Sequence, residues 1–414
     1  MISTSAARWC LAGMLGALPF AVSAGPDDPG GIRFQFGARL AVETQSNAAL
    51  VPTAAQSDRS AKLGLSFGLQ SETRSQKLIF ATSVSLAEGR GPAVTTGLTD
   101  PEIRLTYERR VADAKLSFAA LLRETRIQSA EQLRDNVIVS GTARQRDRQI
   151  EIAAEAGLTR RVGYGGLARF ESTSFTDGSA ITLGGASASD ITAYRLQGFV
   201  RLDLTKTAQW INSLGYTGID QEGNETRNIW TVASRMELAT PRGMNFGAVG
   251  YADTDSGTRI WGEIGSEQAL PNGAVTAQLG AIRGVTGKLH LTGALEIART
   301  TGDASFRMQF SQNLSDSRQS DAERLTSAFA MRYRTRLHDG GGLGLSVDWV
   351  RAGDTQTDLA STAQSVALSY QRAVTRDVML DVGLRHRRLR DSVAGRARSN
   401  DIFISIGRVF QSRF

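Results

Sequence analysis

Arg332, Arg334 and Arg336 alternate with Met331, Tyr333 and Thr335. In an extended chain that spacing puts three guanidinium groups on one face, about 7 Å apart. Arginines fixed in a row bind carboxylates and oxyanions bidentately, so the available chemistry is anion attraction or cross-bracing by acids. The same alternation puts Arg104, Arg123, Arg195 and Arg201 on polar faces of other segments, alongside acids such as Glu102, Glu151, Glu155, Asp203 and Asp348. Only five of the 48 basic residues are lysine. Covalent and metal chemistry have little to work with. None of His290, His338 and His386 is placed by local sequence beside a serine or paired acids. The one cysteine is Cys10, and no helical pattern follows Gly184-Gly185 or Gly340-Gly341-Gly342 to make a phosphate cradle. No catalytic residue, metal ligand or cofactor is expected.

The elements that carry these arginines have period two. Ile32, Phe34, Phe36, Ala38, Leu40 and Val42 alternate with Arg33, Gln35, Gly37, Arg39 and Ala41, and Tyr194–Leu204 and Gln149–Leu158 repeat the pattern. Period two is the signature of strands with one apolar and one polar face. About 20 such segments follow one another; the count falls to 18 if segments merge across the short connections at 253–257 and 284–286. The best helical candidate, 129–137, is short. Connections alternate between tight turns, such as 111–113, 205–207 and 374–375, and a mostly longer set, such as 43–59, 88–100, 128–146 and 176–189. A soluble sandwich has no reason to lengthen every second connection, whereas a membrane barrel does, with short turns on one side and loops on the other.

Composition agrees. Among 414 residues there are 43 glycines, 8 prolines and 41% hydrophobic residues, which excludes collagen and disorder. No apolar run after residue 24 approaches the roughly 20 residues of a membrane-spanning helix. Residues 1–24 read as a secretory signal peptide: Arg8, an apolar stretch Trp9–Phe20, then Ala21-Val22-Ser23-Ala24 before Gly25. The domain reading is therefore a signal peptide over 1–24 and one barrel over 25–414. A pI near 9.8 would suggest nucleic acid for a soluble protein. In an exported chain whose basic residues alternate into a lumen, no nucleic-acid partner is expected.

The chain closes Ile402-Phe403-Ile404-Ser405-Ile406-Gly407-Arg408-Val409-Phe410-Gln411-Ser412-Arg413-Phe414. A last strand ending on phenylalanine resembles the assembly signal of Gram-negative outer-membrane β-barrel proteins, although Ser412 and Arg408 stand where that family usually has an aromatic and an apolar residue. The resemblance implies an all-β, transmembrane, antiparallel up-and-down barrel in the cell outer membrane. It implies as partners outer-membrane lipid, lipopolysaccharide and, through Phe414, the barrel-assembly machinery; a homo-oligomer is compatible with it. The chain also resembles porins, in which the third long loop folds inward. Here that loop is 128–146, and Glu131, Arg134, Asp135 and Arg144 are its candidate constriction residues. A fainter similarity links it to exopolysaccharide-export barrels. The function expected is a passive channel for small hydrophilic solutes lined by Arg104, Arg123, Arg195, Arg201, Arg332, Arg334 and Arg336. Export of a polysaccharide is the alternative, and a plugged receptor or adhesin is a third, weaker class.

Overall fold

The computed structural model describes residues 31–50, 57–91, 94, 96–126, 140–141, 143–176, 180–181, 189–316, 323–338, 340–357, 359–393 and 395–413. The signal-peptide segment, the helical candidate 129–137, Glu131, Arg134, Asp135 and Phe414 lie outside these residues.

Alternating segments become strands because no helical period competes with them. In chain order they are β1 (Gly31–Gln45), β2 (Asp58–Glu72), β3 (Gln76–Arg90), β4 (Gly97–Arg110), β5 (Ala114–Arg126), β6 (Ser140–Gly141), β7 (Arg144–Ala156), β8 (Val162–Thr176), β9 (Ala180–Ile181), β10 (Ile191–Asp203) and β11 (Ala208–Gln221). There follow β12 (Arg227–Thr240), β13 (Gly243–Thr254), β14 (Gly257–Leu270), β15 (Gly273–Arg283), β16 (Leu289–Thr301), β17 (Ala304–Asp316), β18 (Glu323–Arg336), β19 (Gly341–Asp354), β20 (Ala360–Ala373), β21 (Val378–Asp391) and β22 (Gly395–Arg413). Twenty of them form one antiparallel sheet in sequential order; β6 and β9 pair separately. The sheet closes where β1 pairs with β22, from Arg33↔Arg413 to Gln45↔Asp401. Closure leaves no unpaired edge in the wall, which is what a strand structure needs in hydrocarbon. The segments flanking residues 253–257 and 284–286 stay separate as β13–β14 and β15–β16, so the wall has 20 strands rather than 18.

Pleat and register then sort the side chains. Leu196, Leu214 and Val232 point outward and are more than half exposed, while Arg201 on the opposite face of β10 is 9% exposed. The paired positions Leu196↔Tyr216↔Trp230 carry the outward face across three strands. Counted along the wall, the connections after the first, third, fifth and each later odd-placed strand (β1, β3, β5, β8, β11 and so on to β21) gather at one rim, here the loop end. The tight ones, such as 73–75, 111–113 and 302–303, gather at the other, the turn end, where Gly31 and Arg413 also lie.

Two devices shape the wall. The β3–β4 register shifts between Ser83 and Ser85, and Asp100 takes φ 52° just before Pro101, whose missing N–H interrupts the ladder. On the lumen face, Phe199, Phe246, Trp261 and Phe403 stand directly opposite Gly165, Gly265, Gly250 and Gly383 and lie over them. At Gly383 a Cβ would overlap the Phe403 ring and come 2.8 Å from the Leu368 carbonyl, so only glycine admits the ring. Twenty strands at about 4.8 Å spacing and about 40° tilt give a backbone diameter near 40 Å, too wide for wall side chains to fill.

Candidate functional site: the lumen and its loop-end mouth

Most lumen arginines are held by acids on the same or a neighbouring strand. Arg104 pairs with Glu102 at 3.0 Å, and Arg123 with Asp147 at 2.8 Å. Arg201 is the most enclosed of the expected residues. It pairs with Glu155 at 3.0 Å and Asp203 at 3.1 Å, and donates to the carbonyls of Gly157 and Leu158 in the turn beneath it. That arrangement fixes the 157–161 turn to the wall. Arg332 pairs with Asp348 at 2.8 Å and donates to the Met331 carbonyl.

The other three expected residues are placed differently. Arg195 projects exposed into the lumen, directly opposite Arg169, which is itself held by Glu151 at 3.4 Å and by Glu171. Arg334 is exposed and within electrostatic range of Asp381, which already pairs with Arg39 at 2.9 Å. Arg336 is exposed at the turn end of β18. The row 332–336 is therefore divided: one residue braces the wall and two are exposed on the lumen face.

Among the described residues, the first loop enters the mouth. Beyond β1, Ser46 N donates to the Asn400 carbonyl at 3.0 Å, and Asn47 N to Ser399 Oγ at 3.3 Å. A turn closed by Leu50 N on the Asn47 carbonyl, with Leu50 at φ 49°, sends the chain inward. Ala48, Ala49 and Leu50 are 2%, 9% and 5% exposed. Leu50 packs in one cluster with Val350, Ala352, Ala363, Leu389 and Ala397, all on the lumen face of β19–β22. Beneath it, Arg387 (1% exposed) pairs with Asp401 at 2.9 Å and donates to Gln45 Oε1 at 3.3 Å, while Arg385 pairs with Asp401 at 2.9 Å and Glu43 at 2.7 Å. The sequence signal for this was the apolar run Ala48-Ala49-Leu50-Val51 at the start of the first loop.

Arg144 departs from its expected place. It is the first residue of β7, on the outward face, and donates to Glu124 at 3.3 Å beside the Arg146–Glu124 pair at 2.7 Å. The parity that puts Ile150 and Ile152 outward carries Arg144 with them. The wall resumes earlier than the pattern 128–146 suggested, and Ser140–Gly141 pairs with Ala180–Ile181, continuing the β7–β8 hairpin upward.

At the turn end, outside the spanning strands, Asp113 accepts bonds from the Thr159 hydroxyl (2.7 Å) and amide (3.1 Å) and pairs with Arg160 at 2.8 Å. The Thr159 hydroxyl chiefly, with its amide and then Arg160, holds the Asp113 carboxyl below the usual aspartate range. Among the described residues, no group of His, Cys, Asp and Glu is arranged to hold a metal ion.

No family model matches the chain, and no curated protein matches its sequence. Solved structures do. The siderophore receptor PirA from Acinetobacter baumannii superposes with a TM-score of 0.51 at 8% identity, over 91% of this chain and 80% of that one. The ferric enterobactin receptor PfeA from Pseudomonas aeruginosa gives 0.50 at 10% identity, over 93% and 82%. OccK5 (OpdH) from the same organism gives 0.39 at 11% identity, over 92% and 98%. At such identities the likeness concerns the fold, and the closed antiparallel wall described above agrees with it. The chain has the outer-membrane β-barrel fold.

Proposed function

We propose that this chain is a transport barrel of the cell outer membrane, and specifically a passive channel for small hydrophilic solutes whose mouth is narrowed by residues 46–50. The observation that carries the reading is a closed wall of 20 strands, too wide to be filled by its own side chains, with a charged inner face and an apolar outer one. Arg104, Arg123, Arg201 and Arg332 act in it as braces that keep the wide wall stiff, and Arg195, Arg334 and Arg336 supply the field that permeants meet. No catalytic step enters this reading. The similar structures include two siderophore receptors, and solute passage across the outer membrane is the coarser class that such barrels share. Polysaccharide export drew on an arginine-rich lumen, and the wall acids occupy most of those arginines.

Purified protein in planar bilayers and in liposomes tests the proposal. Stepwise single-channel conductance is expected, with swelling rates that fall as sugar probes increase in mass. Intact barrels that neither conduct nor admit any sugar would overturn it. The same reading assigns Phe414 to recognition by the assembly machinery: its deletion should leave the protein in the periplasm, and normal outer-membrane yield would refute that role.

A further inference from the structure

The outward face of β19–β22 changes character over two residues as it nears the loop end. Following the register from β19 to β22, one cross-strand row reads Leu345, Leu368, Leu384, Ile402, with Leu384 and Ile402 more than half exposed. The next row up reads Val347, Val366, His386, Asn400, and His386 Nδ1 lies 2.7 Å from Asn400 Oδ1. The two rows above that read Trp349, Gln364, Arg388, Arg398 and then Arg351, Thr362, Arg390, Arg396. All five of these arginines are exposed.

Arg388 stands directly opposite Arg398, and Arg390 directly opposite Arg396. Such positions bring Cβ atoms within about 5.5 Å, and like charges there repel. Among the described residues, the outward positions of these four strands carry no aspartate or glutamate. The contrast with the rest of the molecule is sharp. On the lumen face of the same strands Arg385 and Arg387 share Asp401 and Glu43. On the outward face of β7, Arg144 and Arg146 share Glu124. Among the described residues, the outward arginines of β19–β22 form a dense cluster with no acid on the same face of these strands to offset it.

We propose that Arg351, Arg388, Arg390, Arg396 and Arg398 form a binding site for a phosphorylated glycolipid of the outer leaflet. Its phosphates lie in the two arginine rows and its acyl chains run down over Val366, Leu368, Leu384 and Ile402. Planar guanidinium forks in facing pairs suit the bidentate, doubly charged geometry of phosphate. The apolar rows immediately below match acyl chains and not the water that a free anion would bring. The inference rests on the outer-membrane reading, which puts the loop end at the outer leaflet.

The test uses full-length mature barrel in nanodiscs of zwitterionic phospholipid doped with a bisphosphorylated disaccharide lipid, its dephosphorylated counterpart, or inorganic phosphate. Lipid retained after detergent extraction is counted by native mass spectrometry, and conductance is recorded on the same preparation. The wild type is expected to retain the bisphosphorylated lipid at least tenfold more than the dephosphorylated one. R388Q/R390Q/R396Q/R398Q should abolish the difference, and R144Q/R146Q should keep it. Equal retention of both lipids, equal retention by wild type and quadruple variant, or displacement of the lipid by millimolar inorganic phosphate would each overturn the site. A barrel that discriminates the lipids but does not conduct would refute the channel reading and leave the site standing.

Discussion

Arg259 on β14 pairs with Glu323 at the start of β18 across 2.7 Å, with β15, β16 and β17 lying between their strands in the wall. Their side chains are 7% and 0% exposed, and Glu323 Oε1 also accepts from Val285 N at 3.0 Å. Gly284 makes the approach possible, because a Cβ there would come 2.5 Å from Glu323 Oε2. Removing one member of a buried pair strands the other charge, at a cost of about 3–5 kcal/mol. Arg259→Ala should therefore lower unfolding stability by that order, and Arg259→Met/Glu323→Leu by clearly less. Chemical unfolding in lipid, followed by tryptophan fluorescence, checks both. Equal losses would mean that the pair does not hold the rim.

The first loop gives a second prediction. Leu50 is 5% exposed among five lumen-facing apolar residues, and truncating such a side chain costs about 2–5 kcal/mol. Leu50→Asp should release residues 46–50 from the mouth, raising single-channel conductance and the mass limit for sugars. Unchanged conductance with unchanged noise would show that the segment does not narrow the path.

Selectivity should depend on the exposed arginines and not on the braced ones. Arg334→Gln/Arg336→Gln is expected to shift the reversal potential under a salt gradient toward cations. That shift should shrink near 1 M salt, where the Debye length is roughly 3 Å. Arg332→Gln, which frees Asp348, should act mainly on stability. A reversal potential indifferent to the double substitution would remove these residues from the permeation path.

The turn end has a pH signature. Because Thr159 and Arg160 depress the Asp113 carboxyl in the folded state, its stabilisation is complete above the unfolded aspartate value and is lost as pH falls through the lower, folded one. Hydrogen exchange of the amide of Thr159 should be protected at neutral pH and lose protection in strong acid. Asp113→Asn should show the weaker protection at both. An acid-insensitive wild-type turn would contradict the assignment.

The wall was legible in the sequence because its signal is local. Alternation at Tyr194–Leu204 fixes which face Arg195 and Arg201 take, whatever the neighbouring strands do. What those arginines then do was not legible, because it depends on partners tens of residues away: Arg201 on Glu155 and the 157–161 turn, Arg123 on Asp147. The inward first loop was hidden for the same reason. Its docking surface is drawn from β19–β22, more than 290 residues downstream of Leu50 in sequence, by the numbering of Val350 through Ala397. Arg144 was misplaced by boundary, since a strand whose first outward residues are Arg144, Arg146 and Arg148 reads as a polar loop.

The seam between β1 and β22 also sets a history for the molecule. Arg39 reaches Ser405, 366 residues away, and Arg385 reaches Glu43, 342 away. The first bond cannot form until the last strand, β22, is in place, and the second not until β21 is. A sheet lacking β22 would leave the first strand with a free hydrogen-bonding edge, a surface that invites the strands of other chains. On the proposed outer-membrane reading, that edge is what would need shielding before insertion, and β1 and β22 complete the cylinder together.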